Sequence, residues 1–147
     1  MERAEPVDVL LVEDNPDDAT LTLRALRRQN LANRVFIVED GAQALDFLFC
    51  RGAYADRDPR SPPKVVLLDL KLPKVDGLEV LEALKRDEST RTIPVVIVTS
   101  SKEDPDVRAA YALGANSYVV KPVDFEQFAQ AMSQVGLYWL LVNQKPR

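Results

Sequence analysis

Apolar residues along this chain come in short unbroken runs, and nearly every run stops at a polar residue with useful chemistry. Val9-Leu10-Leu11-Val12 leads into Glu13-Asp14, and Val65-Val66-Leu67-Leu68 into Asp69. Val95-Val96-Ile97-Val98 leads into Thr99-Ser100, and Tyr118-Val119-Val120 into Lys121-Pro122. Continuous runs of this length read as parallel strands covered on both faces. A further strand is expected from about Arg34 to Val38.

Helical patterns separate the strands. Asn15-Pro16 offers an N-cap followed by a proline at the first helical position, with Asp17 and Asp18 in the first turn and Leu23 and Leu26 facing inward. A second helix is expected from about Ala42 to Phe49, carrying Ala44, Leu45, Leu48 and Phe49 at helical spacing. The stretch from Cys50 to Pro63 is polar and proline-bearing, and reads as a long loop. A third helix, from about Leu78 to Arg86, sets Leu78, Leu81 and Leu84 in register. Asp104-Pro105 is expected to cap a fourth helix that ends near Gly114. Asp124 and Gln127 form a capping-box-like start to a fifth, with Phe125, Phe128 and Met132 inward.

Five alternating units predict an α/β fold, a doubly wound five-stranded parallel sheet with five flanking helices and right-handed crossovers. One domain is expected over 1–147, its core at about 7–136 and a C-terminal extension over 137–147. In a flavodoxin-like strand order, 2-1-3-4-5, strands one and three are neighbours across the switch point, and the ligand site lies beyond the strands' carboxyl ends.

Composition narrows the chemistry. At 46% hydrophobic and 29% charged, with a net charge of −4, the chain reads as a soluble globule without a general affinity for nucleic acid. Its start carries no apolar signal segment, and its longest apolar run, Leu137 to Val142, is too short for a bilayer, so a cytoplasmic location is expected. Cys50 stands alone, which leaves no intrachain disulfide. Histidine is absent. That removes Ser-His-Asp and Cys-His catalysis and His-ligated zinc, so any metal must be held by oxygen.

In the predicted fold Glu13, Asp14 and Asp69 converge. Three such carboxylates are comfortable only with a cation, and a hard divalent ion such as Mg²⁺ or Mn²⁺ suits them. One carboxylate could then attack phosphorus and form an aspartyl phosphate, with Lys121 and Thr99 supplying positive charge and donors. Taken singly, each residue has a plainer reading. Glu13-Asp14 could be a solvated or capping pair, Asp69 a structural strand-end acid, Lys121 a surface lysine, Thr99 a backbone partner and Tyr118 a packing residue. Asp17, Asp18 and Asp104 read as helix-terminus acids.

Together, Leu11-Val12-Glu13-Asp14-Asn15, Leu68-Asp69-Leu70-Lys71-Leu72-Pro73, Asp76-Gly77, Val98-Thr99-Ser100 and Tyr118-Val119-Val120-Lys121-Pro122 resemble the receiver domain of two-component response regulators. The resemblance spans about Val7 to Val135. It implies that Asp69 accepts a phosphoryl group from a histidine kinase in a Mg²⁺-dependent reaction. Asp14 would bind the metal directly, Glu13 through water, and Lys71 through its backbone carbonyl. Lys121, Thr99 and the Ser100 amide would hold the phosphoryl group. Thr99 and Tyr118 would form the switch, and the Lys121–Pro122 bond would be cis. Lys71 departs from the commoner Asn or small polar residue, which bears on phosphoryl lifetime.

The loop before strand three and the apolar tail are similar to small stand-alone regulators paired with bacterial phytochrome kinases, so a bacteriophytochrome is an expected partner. Output would come from protein–protein contacts, with no nucleic acid or membrane partner and no catalysis beyond the chain's own phosphoryl transfer and dephosphorylation. Two alternatives stand beside this reading. A haloacid-dehalogenase-type phosphatase would need a second carboxylate where Lys71 stands, and a pseudo-receiver scaffold would not need the intact acidic set. The tail, with Tyr138, Trp139 and Leu140, is expected to exceed what a small core can bury, and so to build a two-fold homodimer on the helix four–strand five–helix five face; the alternative is that the tail folds back on its own domain.

Overall fold

The computed structural model describes residues 7–28 and 34–141, and only the backbone of Tyr138 and Trp139. Strands β1 (Val9–Val12), β2 (Val35–Val38), β3 (Val65–Leu68), β4 (Val95–Thr99) and β5 (Ser117–Val120) form one parallel sheet in the order 2-1-3-4-5. Helices α1 (Pro16–Arg28), α2 (Gly41–Leu48), α3 (Gly77–Arg86), α4 (Asp104–Ala112) and α5 (Phe125–Gln134) flank it, and a short α6 (Tyr138–Leu141) follows. This is the doubly wound, flavodoxin-like architecture expected from the alternation of runs.

The unbroken apolar runs are explained by two cores. Successive strand residues point to opposite faces. Leu10, Val12, Val66, Leu68, Val95 and Ile97 pack under α2, α3 and α4. Val9, Leu11, Val65, Leu67, Val96 and Val98 pack against α1 and α5. Neither face of the three central strands meets water, so neither can be polar.

Several local expectations shift. The inward face of α1 is Ala19, Thr22, Ala25 and Leu26, with Leu23 only half-buried. Small residues there let α1 lie close to the sheet. Phe125 is half-buried while Phe128 and Met132 are fully buried. Asp104 does not cap α4: Glu103 holds the N-cap position without a side-chain cap bond, and Asp104 and Pro105 begin the helix itself. The caps at the other helices follow the residue types. Asn15 Oδ1 accepts from the amides of Asp17 and Asp18 at 2.9 and 3.1 Å, and Asp124 Oδ1 accepts from Gln127 N at 2.7 Å.

Arg57 ties the long loop after α2 to that helix. Arg57 lies 3.8 Å over the Phe47 ring, donates to the Phe47 carbonyl, and reaches the Ser61 carbonyl at 3.2 Å. Phe47 also stacks on Phe36 and meets Tyr54 edge-on, at centroid distances of 5.0 and 5.2 Å.

Part of the tail packs on its own domain: Leu141 is 2% exposed within the α1–α5 core and Leu137 packs against the same cluster, while Leu140 is 60% exposed. The ammonium of Lys64 donates to the Leu140 carbonyl at 3.2 Å and so satisfies one orphan acceptor at the end of α6. Tyr138 and Trp139, named with Leu140 as dimer residues, have side chains outside the described set. Leu141→Ala should therefore lower unfolding free energy by about 2–3 kcal/mol. Leu140→Ala should change it by less than about 0.5 kcal/mol. Urea denaturation measures both, and the reverse ranking would show that the tail leaves its own domain.

Candidate functional site

Strand register builds the site. Val12 pairs with Leu68, and Thr99 with Val120, so the next residues, Glu13, Asp69 and Lys121, emerge beside Thr99 at one edge of the sheet. Backbone bonds fix the level of each: Glu13 N to Val38 O at 3.0 Å, Asp69 N to Val12 O at 3.2 Å, Lys121 N to Thr99 O at 2.9 Å. Gly77 explains its own place in the Asp76-Gly77 motif. A Cβ there would lie 2.1 Å from the Asp69 carbonyl oxygen, so only glycine lets α3 begin this close to Asp69. Asp76 caps that helix by accepting from Glu79 N at 3.0 Å.

The Lys121 ammonium sits among three carboxylates, 2.5 Å from Glu13 Oε1, 2.7 Å from Asp69 Oδ2 and 2.9 Å from Asp18 Oδ2. Burial alone would lower its pKa, but the hydrogen bonds to Asp69, Glu13 and Asp18 outweigh it and hold the ammonium above its ordinary value. Asp69 is 6% exposed, and its other oxygen accepts from Lys71 N at 3.3 Å. Glu13 is 3% exposed. Burial first, and the neighbouring Asp69 charge as well, push its carboxyl up to about 7 against the lowering pull of Lys121 and the Asn15 amide.

Glu13, Asp14 and Asp69 each offer an oxygen within 4.8 Å of the others. Hard oxygen donors around surplus negative charge are what Mg²⁺ or Mn²⁺ requires, so the residues present fit such an ion. Asp14 is solvent-exposed, which leaves an open approach. The Lys71 side chain is exposed as well and borders, with Asp14, Pro73, Asp76 and Asp106, an open cleft of about 350 Å³.

Thr99 is fully buried, and its hydroxyl accepts from Ser101 N at 3.5 Å, while Ser100 is exposed. The Tyr118 hydroxyl donates to the Ser101 carbonyl at 3.0 Å, so this ring faces the loop that follows Thr99. Burial, partly offset by that bond, raises its pKa. The Lys121–Pro122 peptide is cis. Two features escaped sequence reasoning. Asp18, taken as a helix-terminus acid, pairs with Lys121 across 103 positions. Ser101 joins Thr99, Tyr118 and Asp106, its hydroxyl 2.5 Å from Asp106 Oδ2. No local signal marks either, although Asp18 does follow Asp14 by one helical turn.

A carboxylate pocket with a buried lysine at the carboxyl edge of a doubly wound parallel sheet defines the class of phospho-accepting signalling modules. The chain belongs to the response regulator receiver domain family, whose pattern it matches over residues 9–133. It is similar to the probable methanogenesis regulatory protein FilR2 of Methanothrix harundinacea, 44% identical over 99% of this chain and 92% of that one. The structure of the bacteriophytochrome response regulator AtBRR superposes with a TM-score of 0.84 at 52% identity, covering 96% of this chain and 100% of that one. The Mn(2+)-bound form of response regulator Rcp1 superposes with a TM-score of 0.76 at 34% identity, over 97% and 100% of the two chains. The chain is thus a response-regulator receiver of two-component signalling.

The Glu13 environment predicts a pH effect. Its carboxyl titrates near 7 in the folded chain against an ordinary 4.5, so folding favours the protonated form. Its stabilising contribution is complete below the ordinary value and is lost as pH rises through the folded one. Urea midpoints in EDTA should show wild type losing ground to Glu13→Gln between pH 4.5 and 7. Parallel profiles for the two proteins would contradict this.

Proposed function

We propose that Asp69 accepts a phosphoryl group from a histidine kinase, with Mg²⁺ or Mn²⁺ held by Glu13, Asp14, Asp69 and the Lys71 backbone carbonyl. The observation that carries this reading is the Asp69 carboxylate itself, buried beside two other acids and bonded to the Lys121 ammonium at 2.7 Å. The bound ion supplies charge neutralisation for the acids and the phosphoryl oxygens. An Asp69 oxygen forms the new O–P bond as the N–P bond of the donor's phosphohistidine breaks, and the departing imidazole keeps the bonding pair and takes up a proton. Lys121 and the Thr99 hydroxyl then bond the phosphoryl oxygens, joined by the Ser100 amide. Among the described residues the Thr99 hydroxyl only accepts, so its proton is available for this.

The similarity to AtBRR supports a bacteriophytochrome kinase as donor. Output then follows from a change at α4, β5 and α5, where Tyr118 and Thr99 share the Ser101 bridge. The same face carries Tyr111, 48% exposed, and an open cleft with Tyr118, Gln127 and Gln130 on its wall, which suits a second copy of the chain.

Acetyl phosphate with Mg²⁺ should label the protein once, and EDTA should prevent it. Asp69→Asn should abolish labelling while leaving the urea midpoint near wild type, because the change is nearly isosteric. Intact labelling of Asp69→Asn would overturn the assignment. Thr99→Ala should still be labelled, yet amide shifts around Tyr118 should no longer respond. Identical responses in wild type and Thr99→Ala would refute that coupling.

Sedimentation equilibrium at micromolar concentration should find a dimer that Leu140→Glu or Trp139→Ala weakens. A monomer in both phosphorylation states rules the homodimer out.

A further inference from the structure

We propose that Asp18 is a positioning residue for Lys121, and that it is the carboxylate on which Lys121 remains anchored when Asp69 carries its phosphoryl group. The inference rests on the proposed role of Asp69.

A lysine ammonium has three N–H donors and no acceptor. In this structure it has one carboxylate for each: Glu13, Asp69 and Asp18, at 2.5, 2.7 and 2.9 Å. The three partners differ in what phosphorylation does to them. Asp69 becomes an acyl phosphate, and its carboxylate charge is lost to the new O–P bond. Glu13 belongs to the set of acids that could hold a divalent ion, so its charge would be drawn toward that ion once it binds. Asp18 lies outside that set and outside the reaction, and its charge is the same before and after transfer.

Local structure keeps Asp18 in place. It stands in the first turn of α1, where the helix dipole favours an anion. Its amide is tied to Asn15 Oδ1 at 3.1 Å, which fixes the turn. Its side chain is 35% exposed while those of Glu13 and Asp69 are 2% and 8% exposed, so it meets Lys121 from the solvent side of the pocket. Lys121 leaves β5 on a strand end, and its long stem has rotamer freedom to lose. A fixed anion on the α1 side removes that freedom in advance. One N–H stays on Asp18 and two remain for the phosphoryl oxygens.

This makes a split prediction. Asp18 should matter for binding an anion above Asp69 and hardly at all for binding the metal. The probe is beryllofluoride, which mimics a phosphoryl group on a carboxylate, titrated in excess Mg²⁺ and followed by ¹H–¹⁵N spectra of the backbone. Asp18→Ala should weaken beryllofluoride binding about five- to tenfold, as loss of one charge-assisted hydrogen bond would. Mg²⁺ affinity without beryllofluoride should change by less than about twofold, since the lost charge is partly solvent-screened. In the metal-free protein the Lys121 ammonium proton signals should broaden through faster exchange with water. Asp18→Asn keeps an acceptor oxygen without the charge and should fall between wild type and Asp18→Ala, which also serves if Asp18→Ala does not fold.

Unchanged or tighter beryllofluoride binding in both variants would overturn the proposal. So would a parallel loss of Mg²⁺ affinity, because Asp18 would then act on the metal or on the fold. Asp69→Asn run alongside separates the two claims. If it still binds beryllofluoride at the same amides, the underlying reading of Asp69 has failed, whatever Asp18 does.

Discussion

One buried ammonium holds the carboxyl edge of this sheet together. Lys121 is the meeting point of β1 through Glu13, β3 through Asp69 and α1 through Asp18, with bonds of 2.5 to 2.9 Å. Without it, Glu13 and Asp69 would be unpaired acids a few ångströms apart in the interior, and one would have to take up a proton. Even with it, negative charge is in excess: Glu13 and Asp69 are buried, Asp14 and Asp18 are close, and the pocket holds a single lysine. Burial first, with the Asp69 charge beside it, raises the Glu13 carboxyl. The residues present suit a divalent cation.

The scaffold makes such a charge arrangement tolerable. Central strands with both faces buried cannot slide by a residue without exposing or burying the wrong side chains, so the levels of Glu13, Asp69, Thr99 and Lys121 are fixed by hydrophobic packing. The close start of α3 over the Asp69 carbonyl, allowed only by Gly77, fastens the β3 end from the other side. At the opposite edge, Leu141 extends the α1–α5 core and Lys64 closes α6 by bonding the Leu140 carbonyl. Rigid packing away from the pocket lets the pocket hold its strain of like charges.

Between pocket and surface lies a short polar chain. Thr99 accepts from Ser101, Tyr118 donates to Ser101, and Ser101 meets Asp106 in the first turn of α4. Glu103 at the N-cap makes no side-chain cap bond, so Ser101 and Asp106 secure the start of that helix instead. Thr99, Tyr118 and the start of α4 thus share one residue, Ser101.

The order of strands and helices was legible in the sequence because burial on both faces forces unbroken apolar runs, and because caps and prolines mark helix starts. Glu13, Asp14, Asp69, Thr99 and Lys121 were legible as well, since in a parallel sheet chemistry collects at strand ends. What the sequence did not disclose depends on contacts between distant segments. Asp18 looked like a dipole-facing acid because its partner is 103 residues away. Ser101 looked like loop, because its three partners come from a strand end, a helix and a neighbouring strand. The tail looked too apolar for a small core, and only the packing shows that Leu141 has a place there while Leu140 does not. Periodicity along a chain reports which face is buried. It carries no information on which two buried or half-buried groups will meet, and that was decided by tertiary structure.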